Sequence, residues 1–221
     1  MNGLSHTEEN YIKAIFHIQN EQEGEVSTNA IADHLQTSAA SVSDMIKKLS
    51  SKSLIFYKKY KGVTITEEGR ALATRIIRKH RLWEVFLVQN LHFNWDEVHD
   101  VAEQLEHIQS PLLIKRLDEF LNFPKYDPHG DPIPNEKGEM ERNKKVLLAD
   151  FEHEKEGTVI GVKDTDAKFL QYLDKIGVAL SCKITILERV AYDDSLEILI
   201  NRKEKRLITK EVSQNIYIKK S

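Results

Sequence analysis

The chain has one cysteine, Cys182, in 221 residues. An internal disulfide framework is excluded, and a reducing, cytoplasmic setting fits. With Leu180, Ile184 and Ile186 around it, Cys182 reads as a core thiol and not a nucleophile. Long apolar runs are missing, far short of the ~20 residues that a membrane helix needs. The opening Met-Asn-Gly-Leu-Ser-His-Thr-Glu-Glu lacks the pattern of a secretory signal. Neither sign of charge dominates: 32 Lys and Arg face 35 Asp and Glu, net −3, so charge must be read locally. Only five prolines occur, and four of them fall between 124 and 134, which marks that stretch as a loop. No nucleophile elbow, phosphate loop or His-Glu-x-x-His motif is present, so neither an enzyme nor a small organic substrate is expected.

Helical apolar spacing covers 8–20, with Tyr11, Ile12, Ile15 and Phe16 on one stripe. A short helix over 29–35 follows the capping residues Ser27 and Thr28, and a third spans 39–49. Two strand-like runs, 54–57 and 63–66, flank a tip of Lys58, Lys59, Tyr60, Lys61 and Gly62. Helices, a turn, a helix and a hairpin within seventy residues make a winged helix-turn-helix. Six lysines (47, 48, 52, 58, 59 and 61) and no acid lie between Lys47 and Lys61. They sit on the elements that such a domain offers to double-stranded DNA. The candidate contacts are Ser38, Ala40, Ser41, Ser43, Lys47, Lys48, Lys58, Lys59 and Lys61.

A long helix over 67–91 comes next, then helices over 96–109 and 112–121. Their apolar surface predicts burial against a second copy, a homodimer. At helical spacing His99, Glu103, Glu106 and His107 share one face, and His80 and Glu84 stand at i and i+4 in the preceding helix. Imidazole and carboxylate brought together can hold a divalent ion, although a solvated face has the same composition. His129, close to Asp127 and Asp131, reads as turn chemistry. Residues 135–145 look like a linker. From 147 onward short β-branched strands at 158–162, 183–187, 196–200 and 216–218, with a helix at 167–175, predict a small SH3-like β-barrel. The fold class is thus α+β, with a winged helix-turn-helix at 1–66, an all-helical metal-binding and dimerisation domain at 67–140, a linker at 141–150 and the SH3-like domain at 151–221.

Several segments carry a family likeness: Glu-Glu-Asn-Tyr-Ile-Lys-Ala-Ile at 8–15, Arg-Lys-His-Arg-Leu-Trp-Glu-Val-Phe-Leu at 78–87, Val-His-Asp-Val-Ala-Glu-Gln-Leu-Glu-His at 98–107 and Pro-His-Gly-Asp-Pro-Ile-Pro at 128–134. The chain resembles the diphtheria-toxin-repressor family of metal-dependent regulators, and its manganese transport regulators above all. The C-terminal part is similar to the ferrous-transport SH3-like module. The resemblance implies a switching site of Glu103, Glu106 and His107 joined by Asn10, where relatives carry Met or Asp. Asn10 ligates directly or through water, with Glu9 close by. It implies a second site of His80, Glu84 and His99 completed by Asp164, or alternatively Asp166. Carboxylate and amide oxygens favour Mn(II), with Fe(II) next. The implied function is a metal-activated repressor of metal-uptake genes that binds a palindromic operator as a dimer. Two alternatives stay open: a winged-helix regulator whose His and Glu are structural, and a helical carboxylate–histidine metalloenzyme. The latter normally uses two Glu-x-x-His motifs, whereas this chain has Glu103-x-x-Glu106-His107 once.

Overall fold

The computed structural model describes residues 4–22, 24–58, 61–140 and 146–220. They form two compact units. The first takes in residues 1–80, 103–112 and 134–140, and the second 81–102, 113–133 and 141–221, so the division cuts three helices. No described helix is long and apolar enough to cross a membrane.

The first unit begins with α1 (His6–Glu21), α2 (Thr28–His34), α3 (Ala39–Ser51), β1 (Ile55–Lys58) and β2 (Gly62–Ile65). Each helix starts on a serine whose side chain accepts a backbone amide: Ser5 for α1, Ser27 for α2 and Ser38 for α3. At α1 Glu8 returns the bond to Ser5, which completes a capping box. The two strands pair antiparallel, from Ile55 opposite Ile65 to Lys58 opposite Gly62. Ile12, Ile15, Ile31, Val42, Ile46, Leu49, Ile55 and Val63 make the core beneath this winged helix. Thr66 then caps α4 (Glu67–Leu91) by accepting from the Gly69 amide at 3.0 Å. Gly69 has no room for a side chain, because the Leu54 carbonyl stands where a Cβ would go. The first turn of α4 is thereby seated on the end of α3 and the start of β1. Residues 135–140, expected as a linker, form a turn on the Asn135 side chain, and Met140 packs against this core.

Two further helices, α5 (Val98–Leu105) and α6 (Pro111–Phe120), are shorter than or offset from their sequence-based spans. The expected helix over 96–109 is corrected at its end: it stops at Leu105, and Glu106 and His107 lie in the turn beyond. Pro111 opens α6 and holds Ser110 away from helical geometry, so the two helices cannot merge. Burial of Glu106 and His107 among ionic partners stabilises the turn.

The second unit carries a six-stranded antiparallel sheet in the order β3-β8-β4-β5-β6-β7. Its strands are β3 (Val146–Leu147), β4 (Glu156–Val162), β5 (Lys183–Arg189), β6 (Leu196–Ile200), β7 (Glu204–Ile208) and β8 (Ile216–Lys220). A helix α7 (Ala167–Ile176) crosses between β4 and β5, and a short turn of helix, α8 (Lys210–Ser213), precedes β8. Alternate residues Ile184, Ile186, Leu196, Ile198, Ile200, Ile216 and Ile218 point into one core with Leu170 and Leu173 of α7. Sequence patterning missed β3 and β7. The first is two residues long, and the second, Glu-Lys-Arg-Leu-Ile, sits at a sheet edge where charged side chains are the rule.

Candidate metal centre

In the first unit, α1 supplies Glu9, Asn10 and Lys13, α4 supplies His80, and the end of α5 with the turn after it supplies Glu103, Glu106 and His107. Glu106 has no exposed surface, and Glu9 and His107 are buried. The Lys13 ammonium lies 2.8 and 2.9 Å from the two Glu106 oxygens and also pairs closely with Glu103. His80 Nδ1 is 2.7 Å from Glu106 Oε2. Burial pushes the Glu106 carboxyl up. The His80 hydrogen bond and the Lys13 charge outweigh it and hold the group below its ordinary value.

His107 is held on both sides. Its Nδ1 is 2.6 Å from Glu9 Oε2, and its ring stacks on His6 with centroids 4.2 Å apart. The other Glu9 oxygen accepts from Gln109 at 2.7 Å. The carboxylate oxygen facing the ring accepts, so in the neutral imidazole Nδ1 carries the proton and the Nε2 lone pair is available, 4.0 Å from Glu106 Oε1. A histidine fixed by a carboxylate behind it is the usual support of a metal-ligating imidazole. Asn10 Oδ1 is buried with no hydrogen-bond partner. A vacant amide oxygen, an imidazole lone pair and two carboxylates already gathered around a cation form a donor set that fits a divalent ion of hard character. Of the residues expected at the switching site, Glu103, Glu106 and His107 come together in this unit, with Asn10 on α1. Sequence reading missed Lys13, Gln109 and His6. Lys13 stands three residues after Asn10, on the same face of α1, and that spacing was the available signal.

The second unit holds another cluster. Glu84, Asp127 and His129 are all buried. Glu84 Oε1 lies 3.5 Å from His129 Nε2 and 3.6 Å from His99 Nδ1, both ion-pair distances. Both ring nitrogens of His129 are buried and lack hydrogen-bond partners, and its ring lies parallel to Trp95 at 6.5 Å. The expected turn chemistry is present too: Asp127 Oδ1 accepts from the His129 and Asp131 amides, each at 2.8 Å. Gly130, at φ +81°, is packed so tightly on the Ile160 carbonyl that no side chain fits, which presses this turn onto β4. Burial and the Glu84 charge push the Asp127 carboxyl up to about 7, against the pull of Arg81. His129 is also raised: burial lowers it, but Glu84, Asp127 and Asp131 together prevail. The imidazole read from the sequence as turn chemistry also turns its side chain toward an acid, Glu84. Four prolines around it suggested only a loop. Asp164 is exposed and accepts from the Asp166 amide, and Asp166 caps α7 through the Lys168 amide.

On the winged helix, Ala40, Ser41, Ser43, Lys47, Lys48, Lys58 and Lys61 are exposed. Ser38 has a structural task as the cap of α3, and Ser43 donates to the Ala39 carbonyl at 2.8 Å. Lys47 pairs with Asp44 at 3.0 Å, Lys48 with Glu8 at 3.4 Å and Lys58 with Glu25 at 3.7 Å. Lys59 lies outside the described residues. Phe56 and Tyr57 on β1 are exposed aromatics that the lysine pattern did not reveal.

Three family models cover nearly the whole chain. Residues 3–63 match the iron dependent repressor N-terminal DNA binding domain, 66–135 its metal binding and dimerisation domain, and 146–220 the FeoA domain. A manganese-dependent transcriptional repressor, solved in complex with manganese, superposes with a TM-score of 0.82 at 34% identity over 97% of this chain and all of that one. The chain belongs to the diphtheria-toxin-repressor family of metal-dependent transcriptional repressors. Its members are regulators and not enzymes. The manganese regulator SloR matches with a TM-score of 0.71 at 33% identity, covering 97% of this chain and 98% of that one. The iron-dependent repressor IdeR of Mycobacterium bovis is 38% identical over 135 residues, 61% of this chain. That alignment spans 58% of the curated relative's length.

Proposed function

We propose that this family member is a repressor activated by a divalent cation, Mn(II) ahead of Fe(II), that binds a palindromic operator as a homodimer in the cytoplasm. The carrying observation is the cluster around Glu106. Asn10 and Glu9 belong to α1, the first helix of the winged unit, while Glu103, Glu106 and His107 belong to the end of α5 and its turn. Asn10 Oδ1, Glu103, Glu106 and His107 Nε2 would hold the ion. When bound, it supplies the positive charge and coordination that join these segments. Glu9 orients His107, and His80 steadies Glu106. Fixing α1 in this way restricts the reading head to orientations that match operator half-sites, and apparent DNA affinity rises with the competent fraction. The oxygen-rich donor set supports Mn(II) over softer ions.

Glu84, Asp127 and His129, with His99, are the natural holders of a second cation, since the buried Nε2 of His129 faces the Glu84 carboxylate at 3.5 Å. Asp164 remains part of this proposal as the completing ligand. Ala40, Ser41, Ser43, Lys47, Lys48, Lys58, Lys59 and Lys61 are proposed to meet the DNA, with Ser38 shaping the start of the reading helix. The exposed side chains of Leu91, Leu112, Phe120 and Phe123 support pairing with a second copy. The test is capture of genomic fragments by metal-stripped protein with and without Mn(II), followed by sequencing. Enrichment of a palindrome upstream of transporter genes only with metal is expected. Equal capture in both conditions would overturn metal activation.

A further inference from the structure

Lys13 is a strange residue to find beside a metal centre. Its side chain is 14% exposed, and its ammonium touches both oxygens of a fully buried carboxylate and one of a second. Three N–H donors meet three carboxylate oxygens, which is the full hydrogen-bonding capacity of a lysine. Buried Glu106 needs a countercharge, since an unpaired ion in such a place is strongly unfavourable. Ammonium nitrogen sits 2.8–2.9 Å from the Glu106 oxygens. A divalent ion held by the same oxygens lies closer, at roughly 2–2.5 Å. An ion on those oxygens would meet the ammonium at close range, and their charges repel.

We infer that Lys13 is a tethered cation that occupies the Glu103–Glu106 carboxylate pair in the metal-free chain and withdraws when the pair takes a divalent ion. This rests on the reading that Glu103 and Glu106 hold the activating ion. The lysine stem has four flexible carbons and a compact charge, so the ammonium leaves without moving α1. Asn10 and Lys13 are three residues apart on one helix face. The exchange therefore removes one α1 group from the site and engages another. Two consequences follow. The carboxylate pair keeps a counter-ion and stays ordered without metal. Metal affinity is the difference between attraction for the incoming ion and for the resident ammonium, so Lys13 raises the ion concentration at which the repressor responds.

The test compares wild type with Lys13→Met, which keeps the stem and removes the charge, Lys13→Gln, which supplies neutral amide donors, and Lys13→Arg, which keeps the charge. Mn(II) affinity is read from the electron paramagnetic resonance signal of the free ion, and thermal unfolding is recorded with and without metal. Lys13→Met and Lys13→Gln should bind Mn(II) about tenfold or more tightly, because a unit charge beside the ion has gone. Both should lose thermal stability only in the metal-free state, and Lys13→Arg should bind as wild type does. Either neutral variant binding Mn(II) equally or more weakly would overturn the inference, since the lysine would then remain in place or assist the ion. If Lys13→Met fails to fold without metal, Lys13→Gln carries the comparison. Glu106→Gln separates the two layers: unchanged Mn(II) binding in that variant overturns the site itself, whatever Lys13 does.

Discussion

Glu106 and Glu84 are both buried carboxylates facing histidine, yet they keep different company. Glu106 carries its own counter-ion, because Lys13 reaches it from α1 and His80 donates alongside. Glu84 faces two imidazoles at 3.5–3.6 Å, and the neighbouring Asp127 is held protonated to about pH 7. The first buried carboxylate thus has a lysine ammonium on it without any ligand, whereas imidazoles face the second. A carboxylate with a resident cation can act as a switch, because it has a defined state before metal arrives. One faced by imidazoles gains more from an ion as a structural fastener. The first cluster also draws residues from α1, which leads into the proposed DNA-reading elements, whereas the second draws on the 127–131 turn and the neighbouring helices.

The largest effect is expected from Glu106→Gln. It should abolish metal stimulation of operator binding, a change on the order of 5–150-fold, measured by fluorescence anisotropy across a Mn(II) titration. His129→Gln should lower the Mn(II) bound per chain and reduce the thermal stabilisation that metal gives. Operator affinity at saturating Mn(II) should fall only a few-fold, well short of the first variant. Equal losses in the two variants would break the distinction between switch and fastener.

The same contrast explains what the sequence could tell. The winged helix was legible because Ile12, Ile15, Val42, Ile46 and Leu49 repeat at helical spacing and serines stand at the caps. Glu103, Glu106 and His107 were singled out from a helical stripe, although Glu106 and His107 lie past the helix end. Their grouping survives because a turn directly after a helix stays close to its last residues. Lys13 and His129 were not legible as site residues. Only its three-residue spacing from Asn10 sets Lys13 apart locally from any lysine at a helix surface, and the acid it meets lies 90 residues away. His129 sits among prolines and aspartates whose turn chemistry is real, and only the packing of Gly130 on β4 turns its ring inward.

Glu8 supplies a control for the lysine-paired Glu106, being a buried acid with two lysines and no proposed metal. Lys52 lies 2.5 Å away and Lys48 3.4 Å. Burial raises its carboxyl, but the Lys52 and Ser5 hydrogen bonds and the two lysine charges bring it down to about 2. A folded value below the unfolded one means stability that is present above about pH 4.5 and lost as the pH falls toward 2. Glu8→Gln retains a capping box and removes the charge. It should cost about 1–2 kcal/mol at pH 7, less than the full shift would give, because the lysines are partly exposed. Urea midpoints of wild type and variant should converge between pH 4.5 and pH 2. A gap that persists undiminished at the acid end would show that shape and not charge holds α1 to α3.

The smallest effect belongs to Lys47, the opposite of Lys13 in every respect. Its side chain is 73% exposed, and its partner Asp44 is 80% exposed. Such a pair contributes about 0–1 kcal/mol, so Lys47→Ala should leave the unfolding midpoint nearly unchanged. On DNA the same change should remove one phosphate contact and flatten the slope of log affinity against log salt by about 0.9. The slope comes from operator titrations at several salt concentrations with Mn(II) held saturating. An unchanged slope would take Lys47 out of the DNA interface. A change in the Mn(II) midpoint instead would mean that surface lysines, and not only the buried one, set the response to metal.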